Sequence, residues 1–138
     1  MKNIILIISV LLFANNATGY EGNPTSQVDQ FFSEISAGKA DQAIDNLYSN
    51  NPTMQQKIQA LTVLKQQINS LGAFYGNYLG FEKVSYEEIS PSVVRMVTVA
   101  KYEVHPIVWE FYFYKPKNTW IISQAMFVDQ FQVLGAKK

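Results

Sequence analysis

The spacing of apolar residues changes once along this 138-residue chain and divides it into a helical part and a strand-rich part. Over residues 25–71, apolar side chains recur at intervals of three and four, which is typical of amphipathic helices. Fourteen of the 19 aromatic residues then lie between Phe74 and Phe131, among many β-branched residues, and this composition favours strands. Helices followed by strands predict an α+β fold, with the helices on one face of an antiparallel sheet.

Three helices are predicted in the first part. The apolar stripe of the first covers residues 28–35, and that of the second covers residues 40–48. The third has its stripe over residues 54–71, with Thr53 as its N-cap and Gly72 as its end.

Four strands are predicted in the second part, and each junction between them contains a proline. Their connections are only a few residues long, which predicts hairpins in an antiparallel meander. The predicted strands are Phe81–Ile89, Ser92–His105, Ile107–Lys115 and Trp120–Phe131.

The first residues have the pattern of a secretory leader. Lys2 supplies a positive charge, residues 4–13 form an apolar run, and Ala17 and Gly19 are small residues two positions apart. The apolar run has about half of the ~20 residues that a membrane span needs. We therefore predict cleavage after Gly19 and a single α+β domain over residues 20–138, periplasmic or secreted, without a membrane span.

Composition excludes several classes of protein. Eleven basic and 11 acidic side chains argue against a nucleic-acid partner, which would require a basic surface. The chain has no cysteine, so disulfides, thiolate metal sites and a lipoprotein anchor are excluded. Since His105 is the sole histidine and no phosphate-binding or dinucleotide-binding glycine motif occurs, we predict neither a metal nor a cofactor.

The predicted third strand is apolar on both faces. Three helices can cover one face of the sheet, and an apolar second face then needs another cover. We predict a homodimer packed sheet to sheet; the alternative is a strongly curled sheet with partly exposed tyrosines. The predicted dimer face is Val108, Tyr112 and Tyr114.

Glu110 is the one charge that interrupts this strand. A turn centred near His105 and Pro106 would bring Glu110 opposite Lys101 rather than Arg95, so Lys101 is the predicted partner. An unpaired, buried carboxylate here would instead be a candidate for a functional site.

Several stretches resemble the nuclear transport factor two-like superfamily of α+β proteins, also called cystatin-like. They are Phe31-Phe32, residues 38–43, residues 112–116 and residues 120–122, and the overall resemblance covers about residues 25–131. It implies a cone-like fold in which three N-terminal helices and a curled four-stranded antiparallel sheet enclose a pocket. Dimers through the sheet are common in that superfamily, where some members are isomerases or dehydratases and others only bind ligands or partners.

Aromatic residues are the candidate lining of such a pocket. Apolar walls with a few hydroxyl groups suit a small hydrophobic ligand. We therefore expect an exported, non-catalytic protein that binds a small apolar ligand or a protein partner; a cone plugged by Trp109 and Phe111 would favour an interaction protein. The candidate ligand-binding residues are Tyr48, Tyr75, Tyr78, Trp109 and Phe111.

The alternative is a small isomerase or hydrolase that needs no cofactor. The enzymes of the superfamily use an Asp or His base with tyrosine or protonated aspartate donors, and this resemblance implies Asp129 or Asp45 here. His105, beside Pro106 at a predicted hairpin, is a further general-base candidate. Glu87-Glu88 is a weaker paired-carboxylate signal. Each of these residues also fits an ordinary exposed position, and an inward carboxylate beside a tyrosine hydroxyl would favour the enzyme.

Overall fold

A computed structural model describes residue 20 and residues 22–135 of the chain. It confirms the α+β class, with helices first and a four-stranded antiparallel sheet second. The helices are α1 Pro24–Ser36, α2 Ala40–Leu47, α3 Pro52–Gln55 and α4 Ile58–Tyr75. The strands are β1 Tyr78–Ser90, β2 Val93–Tyr102, β3 Pro106–Tyr114 and β4 Ile121–Val128, and a short 3-10 helix, Phe131–Leu134, follows them.

The third predicted helix is two helices in the structure. Pro52 begins α3 at a position where its missing N–H has no cost, and the side chain of Asn51 accepts a hydrogen bond from the Met54 N–H. Asn51, rather than Thr53, is therefore the cap. Helix α4 continues through Gly72 and ends at Gly76, whose φ of 84° lies in the left-handed region that favours glycine.

The sheet is a meander with the strand order β1-β2-β3-β4, as the short connections predicted. It is not strongly curled, so the predicted curl of the cone is wrong. Strands β1 and β4 are the two edges and do not pair with each other, which leaves the sheet open.

The register of β2 and β3 differs from the predicted one. Val97 lies opposite Glu110, because the turn occupies residues 103–105 and is centred earlier than His105-Pro106. The predicted Lys101–Glu110 pair is wrong for this reason. Arg95 is the partner instead, and its Nε lies 2.6 Å from a carboxylate oxygen of Glu110.

Aromatic rings fill the space between α1 and the inner face of the sheet, which is the face toward the helices. Phe31 of α1 lies 5.0 Å from Trp109 and 5.6 Å from Phe111, measured between ring centroids in edge-on geometry. Phe32 stacks on Phe81 of β1 at 4.2 Å. Burial of these large apolar side chains provides most of the favourable free energy that holds the two layers together.

The predicted leader, residues 1–19, lies outside the described residues. Among the residues that the structure does describe, no helix has the length and apolar character required to cross a membrane.

Candidate functional site

Three of the five candidate pocket residues, Tyr48, Trp109 and Phe111, are buried in the core. Trp109 and Phe111 are 2% and 0% exposed and stack on each other at 5.6 Å. With Phe31 and Phe32 packed against them, they fill the interior where the resemblance implies a pocket. The clefts described below lie outside this aromatic core.

A groove runs between helix α4 and the edge strand β4. It consists of two clefts of about 460 Å³ and about 490 Å³, which share Gln67 of α4 and therefore lie end to end along that helix. Helix α4 packs mainly on α2 and α3, and its Ile68 and Leu71 are buried in the core. The first cleft is lined by residues that include Tyr48, Met54, Leu61, Val63, Leu64 and Ala125, and the second by residues that include Leu71, Phe74, Tyr75, Phe127 and Asp129. We call these two clefts together the α4–β4 groove.

Tyr48 closes the inner wall of the first cleft and caps the β4 edge. The Ala125 N–H donates to the Tyr48 hydroxyl at 3.0 Å, and that hydroxyl lies 3.5 Å from the Ala125 carbonyl oxygen. Asn51 donates from its amide to the Ile122 carbonyl oxygen at 2.8 Å. These side chains occupy polar groups of an edge strand that would otherwise be available to another chain. Burial raises the pKa of Tyr48, so its hydroxyl stays protonated over the physiological pH range.

Three of the sequence candidates meet at the far end of the groove. The Tyr75 hydroxyl donates to a carboxylate oxygen of Asp129 at 3.1 Å, and the rings of Tyr75 and His105 stack at 4.9 Å. His105 Nε2 lies 2.6 Å from the main-chain carbonyl oxygen of Asp129 and therefore donates to it. Desolvation, followed by the hydrogen bond to Asp129, raises the pKa of Tyr75.

Tyr78 lies apart from the groove, at the start of β1. Its ring lies 6.4 Å from that of Phe32 and 5.7 Å from that of Tyr102. Burial raises the pKa of Tyr78. The structure therefore brings Tyr48 and Tyr75 to one groove and places Tyr78 beside a different part of the core.

The predicted dimer residues lie on the outer face of the sheet, which faces away from the helices. Val108 is 5% exposed within the single chain, whereas Tyr114 is 44% exposed. Tyr112 lies between them and donates from its hydroxyl to Glu110 at 3.0 Å. Since Glu110 also binds Arg95, a charged network crosses the middle of this face. The hydrogen bond with Glu110 raises the pKa of Arg95, which therefore remains a cation.

The remaining charged candidates are surface groups. Asp45 pairs with Lys65 at 2.6 Å, on the helical side of the molecule. Glu87 lies 3.7 Å from Arg95, and Glu88 is exposed in β1. Among the described residues, no group of three or more His, Asp or Glu side chains is arranged to hold a metal ion.

Sequence reasoning missed the groove itself and the role of Asn51. The groove depends on the distance between α4 and β4, which are more than 40 residues apart in the chain, and no local pattern encodes that distance. Asn51-Pro52 did carry a usable signal, because Asn before Pro is a strong helix start. That signal predicts the cap but not the contact with β4.

Comparison with known proteins leaves the chain without a family assignment: no family model matches it, and neither a curated protein nor a solved structure matches at a significant level. The likeness to the nuclear transport factor two-like superfamily therefore stays a prediction.

Proposed function

We propose that this chain is an exported, non-catalytic binding protein that holds a small, mainly apolar ligand in the α4–β4 groove. The observation that carries the proposal is an open groove beside a filled core. Trp109 and Phe111 fill the interior, which by itself favours an interaction protein, so a small ligand needs a site outside the core. The groove offers such a site, because apolar side chains line its concave surface.

The dimensions and lining of the groove support this ligand class. Small-molecule sites are typically clefts of roughly 300–1,000 Å³ with apolar walls and a few polar groups. Each cleft falls in that range, at about 460 Å³ and about 490 Å³. Val63 and Phe74 of α4 line the groove and are 50% and 73% exposed, so a ligand would remove apolar surface from water.

Fluorescence titration with 1-anilinonaphthalene-8-sulfonate, a probe with apolar aromatic rings and one sulfonate group, tests the proposal. The folded chain should bind the probe saturably, and Val63→Glu or Phe74→Ala should weaken binding by about tenfold, the equivalent of about 1.4 kcal/mol. Val104→Glu and Leu79→Ala are matched controls, because Val104 and Leu79 are 73% and 61% exposed and do not line the groove. Both controls should bind as the unchanged protein does.

Equal weakening in the groove variants and the control variants would contradict the proposal, since binding would then be unspecific. No saturable binding by the folded, unchanged chain would also contradict it. Failure of the small probe together with saturable binding of a protein would favour the other predicted occupant, a protein partner.

The rival class is an isomerase or hydrolase without a cofactor. The cluster of Tyr75, His105 and Asp129 supports it, because phenol, imidazole and carboxylate groups meet at one end of the groove. The geometry supports it less well than binding, because His105 donates to the Asp129 main chain and not to its carboxylate, so the carboxylate does not orient the ring as in a catalytic triad. Turnover of a p-nitrophenyl ester that His105→Gln abolishes would favour the enzyme.

The sheet-to-sheet homodimer belongs to the same proposal. Tyr114, Met126 and Val128 supply exposed apolar surface on the outer face, at 44%, 36% and 44% exposure. The ion pair of Arg95 and Glu110 occupies the middle of the outer face, so the exposed apolar surface lies toward the edges of that face. Sedimentation velocity at micromolar concentration should show a dimer, and a monomer would contradict this part of the proposal.

A further inference from the structure

Tyr20 is held in a buried socket, although chain ends are usually loosely attached. Tyr20 is 3% exposed, and its hydroxyl donates to a carboxylate oxygen of Glu34 at 2.7 Å and lies 3.2 Å from the Ala43 carbonyl oxygen. The backbone N–H donates to the Asn46 carbonyl oxygen at 3.4 Å. The backbone carbonyl oxygen accepts from the Asn50 amide at 3.2 Å. Side chain, N–H and carbonyl oxygen are thus all bound by the fold.

The socket is built from buried polar groups as well as from backbone. Asn46 is 6% exposed and donates from its amide to the other carboxylate oxygen of Glu34 at 2.7 Å. Glu34 is therefore fixed between Asn46 and the Tyr20 hydroxyl. Tyr20 and Asn46 are buried and Glu34 is half-buried, so losing one partner leaves another polar group unsatisfied.

We propose that Tyr20 is the first residue of the mature chain and that its socket is a docking site for the α-ammonium group released by leader cleavage. The sequence predicts cleavage after Gly19, and in the structure the next residue, Tyr20, is buried in the fold. The inference rests on the export that the proposed function includes, but not on the ligand groove.

Cleavage changes the chemistry of the atom that the socket holds. Water hydrolyses the amide bond between the Gly19 carbonyl carbon and the Tyr20 nitrogen, so Gly19 gains a carboxylate and Tyr20 gains an ammonium group. A neutral N–H with one proton to donate becomes a cation with three, and hydrogen bonds from a cation are shorter and stronger.

The electrostatic surroundings favour a cation at this position. Asn46 belongs to the last turn of helix α2, where carbonyl oxygens carry partial negative charge. Its carbonyl oxygen, which faces the Tyr20 nitrogen, also accepts from the Ser49 N–H at 3.3 Å and the Ser49 hydroxyl at 2.8 Å. Glu34, from α1, adds a carboxylate at the other end of the socket, where it accepts from the Tyr20 hydroxyl. The Asn50 amide completes the socket from the loop between α2 and α3 and carries no charge.

The mass of the exported protein is the first test. The full chain, expressed with its own leader in a bacterium, should yield an exported species whose mass corresponds to a start at Tyr20. A start at any later residue would remove the docked group, and a retained leader would leave no free amine there. Either result, or an absence of export, would overturn the inference.

The pKa of the Tyr20 α-amino group in that exported protein is the second test. A docked ammonium should have a pKa above the ordinary value of roughly 7.7–8.0. A pH titration of the Tyr20 Cα chemical shift by NMR measures this pKa. Glu34→Gln should lower this pKa, and Glu82→Gln, at an exposed position in β1, should not. A pKa at or below the ordinary range in the unchanged protein would overturn the inference, even if Glu34→Gln failed to fold.

These outcomes are separable from the ligand groove. An exported chain that starts at Tyr20 but fails to bind the apolar probe would contradict the proposed function and leave the docking site intact. A chain that binds the probe but starts elsewhere would do the reverse.

Discussion

Thr98 carries a buried hydroxyl oxygen that has no hydrogen-bond partner among the described residues. The side chain is 0% exposed on the inner face of β2, opposite Trp109. Gln27 shows the usual arrangement, since its buried amide donates to the carbonyl oxygens of Gly22 and Trp120. An unsatisfied buried polar group costs about 1–3 kcal/mol, so Thr98 reduces the stability of the fold.

Thr98→Val should therefore raise the free energy of unfolding by about 1 kcal/mol, because a methyl group of similar shape replaces the unsatisfied hydroxyl. Urea denaturation measures the change. Thr53→Val, at an exposed position in α3, is the matched control and should shift the free energy by less than about 0.5 kcal/mol. A less stable Thr98→Val chain would mean that the hydroxyl does have a partner.

Strand faces were the most predictable feature at the scale of elements. Alternation along β3 predicted that Ile107, Trp109, Phe111 and Phe113 share one face, and all four are buried in the core. The prediction worked because a strand fixes the side-chain period at two. Register was less predictable, because a turn centre placed slightly too late moved the expected partner of Glu110 from Arg95 to Lys101.

Helix ends were also less predictable than helix faces. Gly72 has the sequence signature of a helix end, yet α4 continues for three more residues to Tyr75, and Gly76 is its C-cap. Both Gly72 and Gly76 follow apolar residues of α4, so the local sequence does not show which of the two ends the helix. The position of α4 relative to β4 depends on contacts between segments that are distant in the chain. The candidate site between them therefore could not be predicted from local sequence.

Substitution of the two glycines tests this account of α4. Gly72→Ala should raise the free energy of unfolding by up to about 1 kcal/mol, because a Cβ there meets no atom and alanine favours helix. Gly76→Ala should lower it by about 1 kcal/mol or more, because φ is 84° and the new Cβ would collide with the Glu103 side chain. Thermal unfolding compares the two directly, and a change of the same sign in both would contradict the assignment.

At the scale of the whole molecule, buried tyrosines link stability to alkaline pH. Burial raises the pKa of Tyr20, Tyr48, Tyr78 and Tyr102 above the ordinary value of 10.0. The unfolded chain therefore loses these protons at a lower pH than the folded chain does. The stabilising contribution is complete below pH 10 and is lost as pH rises through the higher folded values.

The urea midpoint should accordingly fall between pH 9.5 and pH 11. Tyr20→Phe should make that fall shallower, because one of the raised groups is gone, whereas Tyr86→Phe, at a residue that is 52% exposed, should leave the slope unchanged. A midpoint that stays constant to pH 11 would contradict the burial of these hydroxyls.

We propose that binding occurs in the α4–β4 groove and not in the core or on the outer face. Amide chemical shifts of the labelled protein, recorded with and without saturating 1-anilinonaphthalene-8-sulfonate, test it most directly. We predict that the perturbed amides fall at Tyr48, at Met54 and within residues 57–75 and 123–130, which together contain the lining of both clefts. Perturbations that instead centre on Val108, Tyr112 and Tyr114 of the outer face would contradict the claim.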